Sequence, residues 1–112
     1  MEKKMKRTNL YFIQKCNNLF IIMEKEIILP YPVVRAIVKN HNRIEEELKT
    51  YEVLRKKIIG SEETEEEKEK MIKELLEEEI EIEINTIKSK DIEAIDTLTI
   101  RDISILDFMI EE

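Results

Sequence analysis

The stretch Val33-Val34-Arg35-Ala36-Ile37-Val38-Lys39-Asn40-His41-Asn42-Arg43-Ile44 decides how this chain is read. Val34, Ile37, His41, Ile44, Leu48, Tyr51, Arg55 and Ile58 follow one another at alternating spacings of three and four. That is the seam of a coiled-coil helix, and Val33, Val38 and Leu54 widen it into a broader apolar stripe. Pro32 fits a first helical turn, where its missing N–H is not needed. Gly60, the chain's only glycine, fits the left-handed residue that follows a helix. The pattern predicts one helix from Val33 to about Ile59, roughly 40 Å long.

Downstream of Gly60, Thr64 with Glu67 three residues later predicts a capping box for a second helix over 65–78. Its apolar side is Met71, Ile72, Leu75 and Leu76, so the two helices form an antiparallel hairpin. The shorter second helix leaves the seam around Val34, Ile37, His41 and Ile44 uncovered. The cover is the C-terminal segment, the N-terminal segment or a second chain. Val34, Ile37, His41, Ile44 and Leu48 are accordingly the expected seam of a homodimer.

At Glu79-Ile80-Glu81-Ile82-Glu83-Ile84-Asn85 the period drops to two, which predicts a half-buried strand with a glutamate face. A lone strand is not viable, and Ile27-Ile28-Leu29, stopped by Pro30, is the expected partner within the chain. After one helical turn near Asp91-Ile92-Glu93-Ala94-Ile95, Thr99 caps a last helix that carries Ile103, Leu106, Met109 and Ile110 on its apolar side. The expected fold is α+β and mostly helical: a long helix hairpin, a short two-stranded β element and a C-terminal helix. Residues 1–22 leave two readings: a helix capped by Thr8 that carries Leu10, Ile13, Leu19 and Phe20, or, since they lack the caps and periodicity seen elsewhere, a basic arm or extension on a single domain of residues 23–112.

The composition narrows the chemistry. The 112 residues are 42% hydrophobic and 40% charged, which places the chain outside the disordered class. Residues 1–22 hold five basic side chains against one acidic, and residues 23–112 hold 14 against 25. An acidic body disfavours direct nucleic-acid binding and favours a protein partner with a basic surface. No apolar run approaches the roughly 18 residues of a membrane span. The single cysteine, Cys16, excludes an intramolecular disulfide and suits a reducing, cytoplasmic setting.

One histidine and one cysteine, far apart in sequence, argue against a zinc site within one chain. A single glycine leaves no Gly-rich phosphate loop and no EF-hand loop, so no metal, cofactor or enzymatic activity is expected. His41, on the seam between Asn40 and Asn42, reads as a structural polar residue that bonds locally or fixes register. Arg35, Lys39 and Arg43, four residues apart, read as a solvated and internally paired face. Glu79, Glu81 and Glu83, about 6.7 Å apart along a strand, combine with Glu77, Glu78 and the acidic cluster over 62–67 into an acidic ridge. The ridge is the candidate partner-binding surface, as an imitation of a phosphate backbone, beside its ordinary role of solubilising a strand.

Leu75-Leu76-Glu77-Glu78-Glu79-Ile80-Glu81-Ile82-Glu83-Ile84, then Asp91-Ile92, Thr99 and the closing Leu106-Asp107-Phe108-Met109-Ile110-Glu111-Glu112, resembles a group of small phage and prophage proteins of low-GC Gram-positive bacteria. Leu29-Pro30, Arg35, Lys39-Asn40 and the helix from Glu45 to Ile59 extend the resemblance over residues 26–112. It implies no catalytic residues. It implies a phage setting, in which small acidic proteins serve as accessory factors or inhibitors of host machinery, including anti-CRISPR-like anti-defence roles. The alternative function is structural: a homo-oligomer or a virion assembly chaperone.

Overall fold

A computed structural model describes residues 2–111. The chain is α+β and mostly helical. In order it runs β1 (Glu2–Thr8), α1 (Asn9–Glu24), α2 (Tyr31–Glu47), α3 (Lys49–Ile59), α4 (Glu65–Glu77), β2 (Glu79–Asn85), β3 (Ile87–Lys88), α5 (Ser89–Glu93), α6 (Ile100–Leu106) and β4 (Ile110–Glu111). β1 and β2 form an antiparallel pair, and β3 and β4 a short parallel one.

Residues 2–22 are not an appendage. β1 pairs with the whole of β2, from Glu2 opposite Asn85 to Thr8 opposite Glu79. Met5 and Ile82, directly opposite, are both buried. The Thr8 hydroxyl then accepts from the Tyr11 N–H at 3.1 Å and caps α1. α1 places Phe12, Leu19 and Ile22 in the core, Phe12 and Leu19 with no exposure at all. Residues 26–29, expected to pair with β2, are irregular, and β1 is its partner instead.

The long helix is interrupted once. Leu48 stands between α2 and α3 at φ −78° and ψ −6°, a right-handed conformation that does not end the hydrogen-bonded run. Leu48 N–H donates to the Ile44 carbonyl and Glu52 N–H to the Leu48 carbonyl, each at 3.0 Å. Gly60 sits at φ −84° and ψ 0°, not in the left-handed region expected of it. Thr64 caps α4 by accepting from Glu67 N–H at 3.2 Å.

α1 covers the seam within the same chain. Ile37, His41, Ile44 and Leu48 are buried, whereas Val34 is partly open. The uncovered surface that called for a homodimer is therefore filled by the N-terminal helix.

The closing helix is also shorter than its apolar pattern implied. Thr99 and Asp102 form a reciprocal capping box, but α6 ends at Leu106, and a 3₁₀ turn over Asp107–Met109 leads into β4. Ile105, Leu106, Phe108 and Met109 enter the core while Ile103 stays exposed. The molecule is elongated, 54 × 26 × 19 Å, with a radius of gyration of 16.4 Å, against about 13 Å for a compact chain of this size. α3 buries none of its residues; with α4 it forms a hairpin largely outside the core.

Candidate functional site

The expected acidic ridge splits into two parts. On β2, Glu81 lies opposite Lys6 and Glu83 opposite Lys4, on the solvent face of the sheet. Opposite charges directly across an antiparallel pair attract. Lys4 Nζ is 4.0 Å from Glu81 Oε1. Arg43, reaching over from α2, is 3.4 Å from Glu2 Oε1 and 4.0 Å from Glu83 Oε2, and donates to the Glu83 carbonyl at 3.0 Å. The basic N-terminal strand and one member of the basic stripe thus neutralise the β2 glutamates. Glu81 and Glu83 act first within the fold.

The carboxylates of residues 61–79 are different. Glu62, Glu63, Glu65, Glu66, Glu67, Glu69, Glu74, Glu77, Glu78 and Glu79 are all exposed. Against these ten stand Lys68, Lys70 and Lys73, so the segment carries −7, the net charge of the whole chain. The rest of the protein is balanced, with 16 acidic and 16 basic side chains. Glu65, Glu66 and Glu67 occupy the first turn of α4, where the helix dipole tolerates their crowding. Lys68, which pairs with Glu65 at 3.7 Å, also donates to the Ile59 carbonyl at 2.9 Å and so is half-committed to closing the α3–α4 turn.

A second cluster lies under α1. His41 and Glu45 are four residues apart on α2, one above the other on the same face. Cys16 approaches them from α1, on the stripe that begins at Phe12 and continues to Leu19. Cys16, His41 and Glu45 each offer one ligand atom, all within 4.8 Å of one another. The sequence distance that spoke against a one-chain metal site is closed by helix packing. His41 is buried and its Nδ1 has no hydrogen-bond partner among the described residues, a deficit worth about 1–3 kcal/mol. Phe20 lies over the His41 ring at 6.2 Å between centroids.

The local register role expected of His41 belongs instead to its neighbour Asn40. The Asn40 side chain accepts from Asn85 N–H at 2.7 Å and donates to the Asn85 carbonyl at 2.9 Å.

Burial pushes the Cys16 thiol above its usual range, and the Glu45 and Glu52 carboxylates push it further in the same direction. Cys16 and Glu45 also line a cleft of about 500 Å³ with Ile13, Asn17, Tyr51 and Glu52. No sequence motif marks this cluster; the i, i+4 spacing of His41 and Glu45 is the one signal present before folding.

A separate apolar groove runs between the end of α1, the 25–30 linker and α2, lined by Met23, Ile27, Leu29, Val34 and Val38. Among the described residues no helix is long and apolar enough to cross a membrane. Comparison with protein-family models, curated proteins and solved structures finds no match for the chain.

Proposed function

We propose that the protein is a non-enzymatic interaction protein that binds a basic protein surface through its acidic 61–79 segment, and inhibits or modulates that partner. One observation carries the reading: the exposed 61–79 segment alone holds a charge of −7, ten carboxylates against three lysines, while the remaining charges of the chain sum to zero. Concentrated charge of one sign steers association and selects partners of the opposite sign. In the phage setting that the resemblance over residues 26–112 implies, the partner is a host protein that handles nucleic acid, and the carboxylates stand in for phosphates. Glu77, Glu78 and Glu79 belong to this surface; Glu81 and Glu83, paired with Lys4, Lys6 and Arg43, contribute less.

Affinity capture from host lysate on the full chain, eluted with salt, tests the proposal. Glu66, Glu69 and Glu74 changed together to Gln should release a basic partner at lower salt than wild type. An identical set of proteins, retained to the same salt by wild type and variant, would sink it.

The groove at Met23, Val34 and Val38 supports a second reading, self-association in an assembly role. Sedimentation equilibrium near twice the 13.5 kDa chain mass would favour it, and a monomer at tens of micromolar would dismiss it.

A further inference from the structure

We propose that Cys16, His41 and Glu45 form a zinc-binding site that ties α1 to α2. The donor set is a sulfur, an imidazole nitrogen and a carboxylate oxygen. That mixture suits a borderline ion such as zinc, whereas magnesium and calcium require oxygen ligands throughout. Ligand atoms around a tetrahedral zinc are about 3.3–3.6 Å apart, given its bond lengths of roughly 2.0–2.3 Å. The three side chains, already within 4.8 Å, need to close by about 1.5 Å at most. Glu45 is exposed and free to make that adjustment.

The buried Nδ1 of His41 is the second, independent observation. A buried ring with an unpartnered Nδ1, offering a nitrogen within 4.8 Å of a thiol and a carboxylate, is in the state of a ligand rather than of a satisfied core histidine. Three protein ligands leave the fourth position to water, and the cleft that Cys16 and Glu45 line gives solvent access to it. The site lies apart from the 61–79 segment and stands or falls separately from the partner-binding proposal.

Zinc titrated into the full chain under a non-thiol reductant should bind at one equivalent. The dissociation constant should rise about tenfold or more in Glu45→Gln and in Cys16→Ser, and stay unchanged in Glu46→Gln. Cobalt in place of zinc should give a thiolate-to-metal charge-transfer band that Cys16→Ser lacks. Equal zinc binding by wild type, Glu45→Gln and Cys16→Ser would overturn the site, and so would a cobalt complex without the thiolate band. Either result would leave the exposed glutamates as the seat of any bound ion.

Discussion

Lys25 Nζ lies 2.5 Å from Asp102 Oδ1, which joins the residue that ends α1 to the first turn of α6. Asp102 is almost wholly buried, and its other oxygen accepts from the Thr99 N–H at 3.1 Å. One carboxylate therefore caps a helix and anchors the C-terminal segment to the N-terminal one.

Burial acts to raise the Asp102 pKa, but hydrogen bonds from Lys25 and Thr99 outweigh it and hold the carboxyl below its usual range. The folded state then holds this proton less tightly than the unfolded chain. The contribution is full above the unfolded value, roughly 3.9, and is lost as pH falls through the lower folded value. Asp102→Ala should cost about 2–3 kcal/mol at neutral pH, from the lost cap and the stranded Lys25. The gap between wild-type and variant urea midpoints should narrow below about pH 4.

A chain truncated to start at Met23 should fail to fold, as read by helical circular dichroism and cooperative melting. It loses Met5, Phe12, Leu19 and Ile22 from the core and leaves an edge of β2 unpaired. Phe12→Ala in the full chain should cost about 3–5 kcal/mol in chemical denaturation.

Asn40 is fully buried and acts as a strand-like partner for the end of β2. Asn40→Ala strands both backbone groups of Asn85 and should destabilise by about 2–3 kcal/mol. Asn40→Asp removes the donor as well as adding a buried charge, so its denaturation midpoint should fall further.

Lys4→Glu with Lys6→Glu sets like charges directly opposite Glu83 and Glu81. The loss should be about 1 kcal/mol at low ionic strength and shrink in high salt, where exposed charges are screened. A loss that does not change with salt would mean the lysines act through packing.

Gly60→Ala should stabilise by about 0.4–1 kcal/mol. The position is right-handed, and a methyl group there meets the Lys56 carbonyl oxygen at an ordinary contact distance of 3.4 Å. Thermal melting checks the sign.

Elements with local causes were legible in the sequence. Thr64 and Thr99 announce their helices because a cap needs only neighbours within three residues, and Ile80, Ile82 and Ile84 announce β2 by alternation alone. β1 was not legible. Met5 is the one apolar residue between Glu2 and Thr8, and the strand exists because β2 presents glutamates and a free edge to its lysines. α1 was half legible: Thr8 marks its cap, but Leu10, Phe12, Ile13, Leu19, Phe20, Ile21 and Ile22 surround the helix and blur its period, so a helix and an arm both fitted. The meeting of Cys16 and His41 was not legible, since it depends on which of the possible covers lies on the seam and in what register. The breadth of that seam was nonetheless a correct sign that something had to cover it.

The pairing of β1 with β2 also sets a timetable. During synthesis β1 emerges first and has no sheet partner until residues 79–85 follow, so contacts distant along the chain must form late. An apolar strand waiting that long would recruit strands from other chains. A strand written as Glu2-Lys3-Lys4-Met5-Lys6-Arg7 repels copies of itself and attracts the glutamate-rich strand still to come. Its poverty in apolar residues, which makes it inconspicuous in the sequence, also leaves little apolar surface through which a waiting strand could associate.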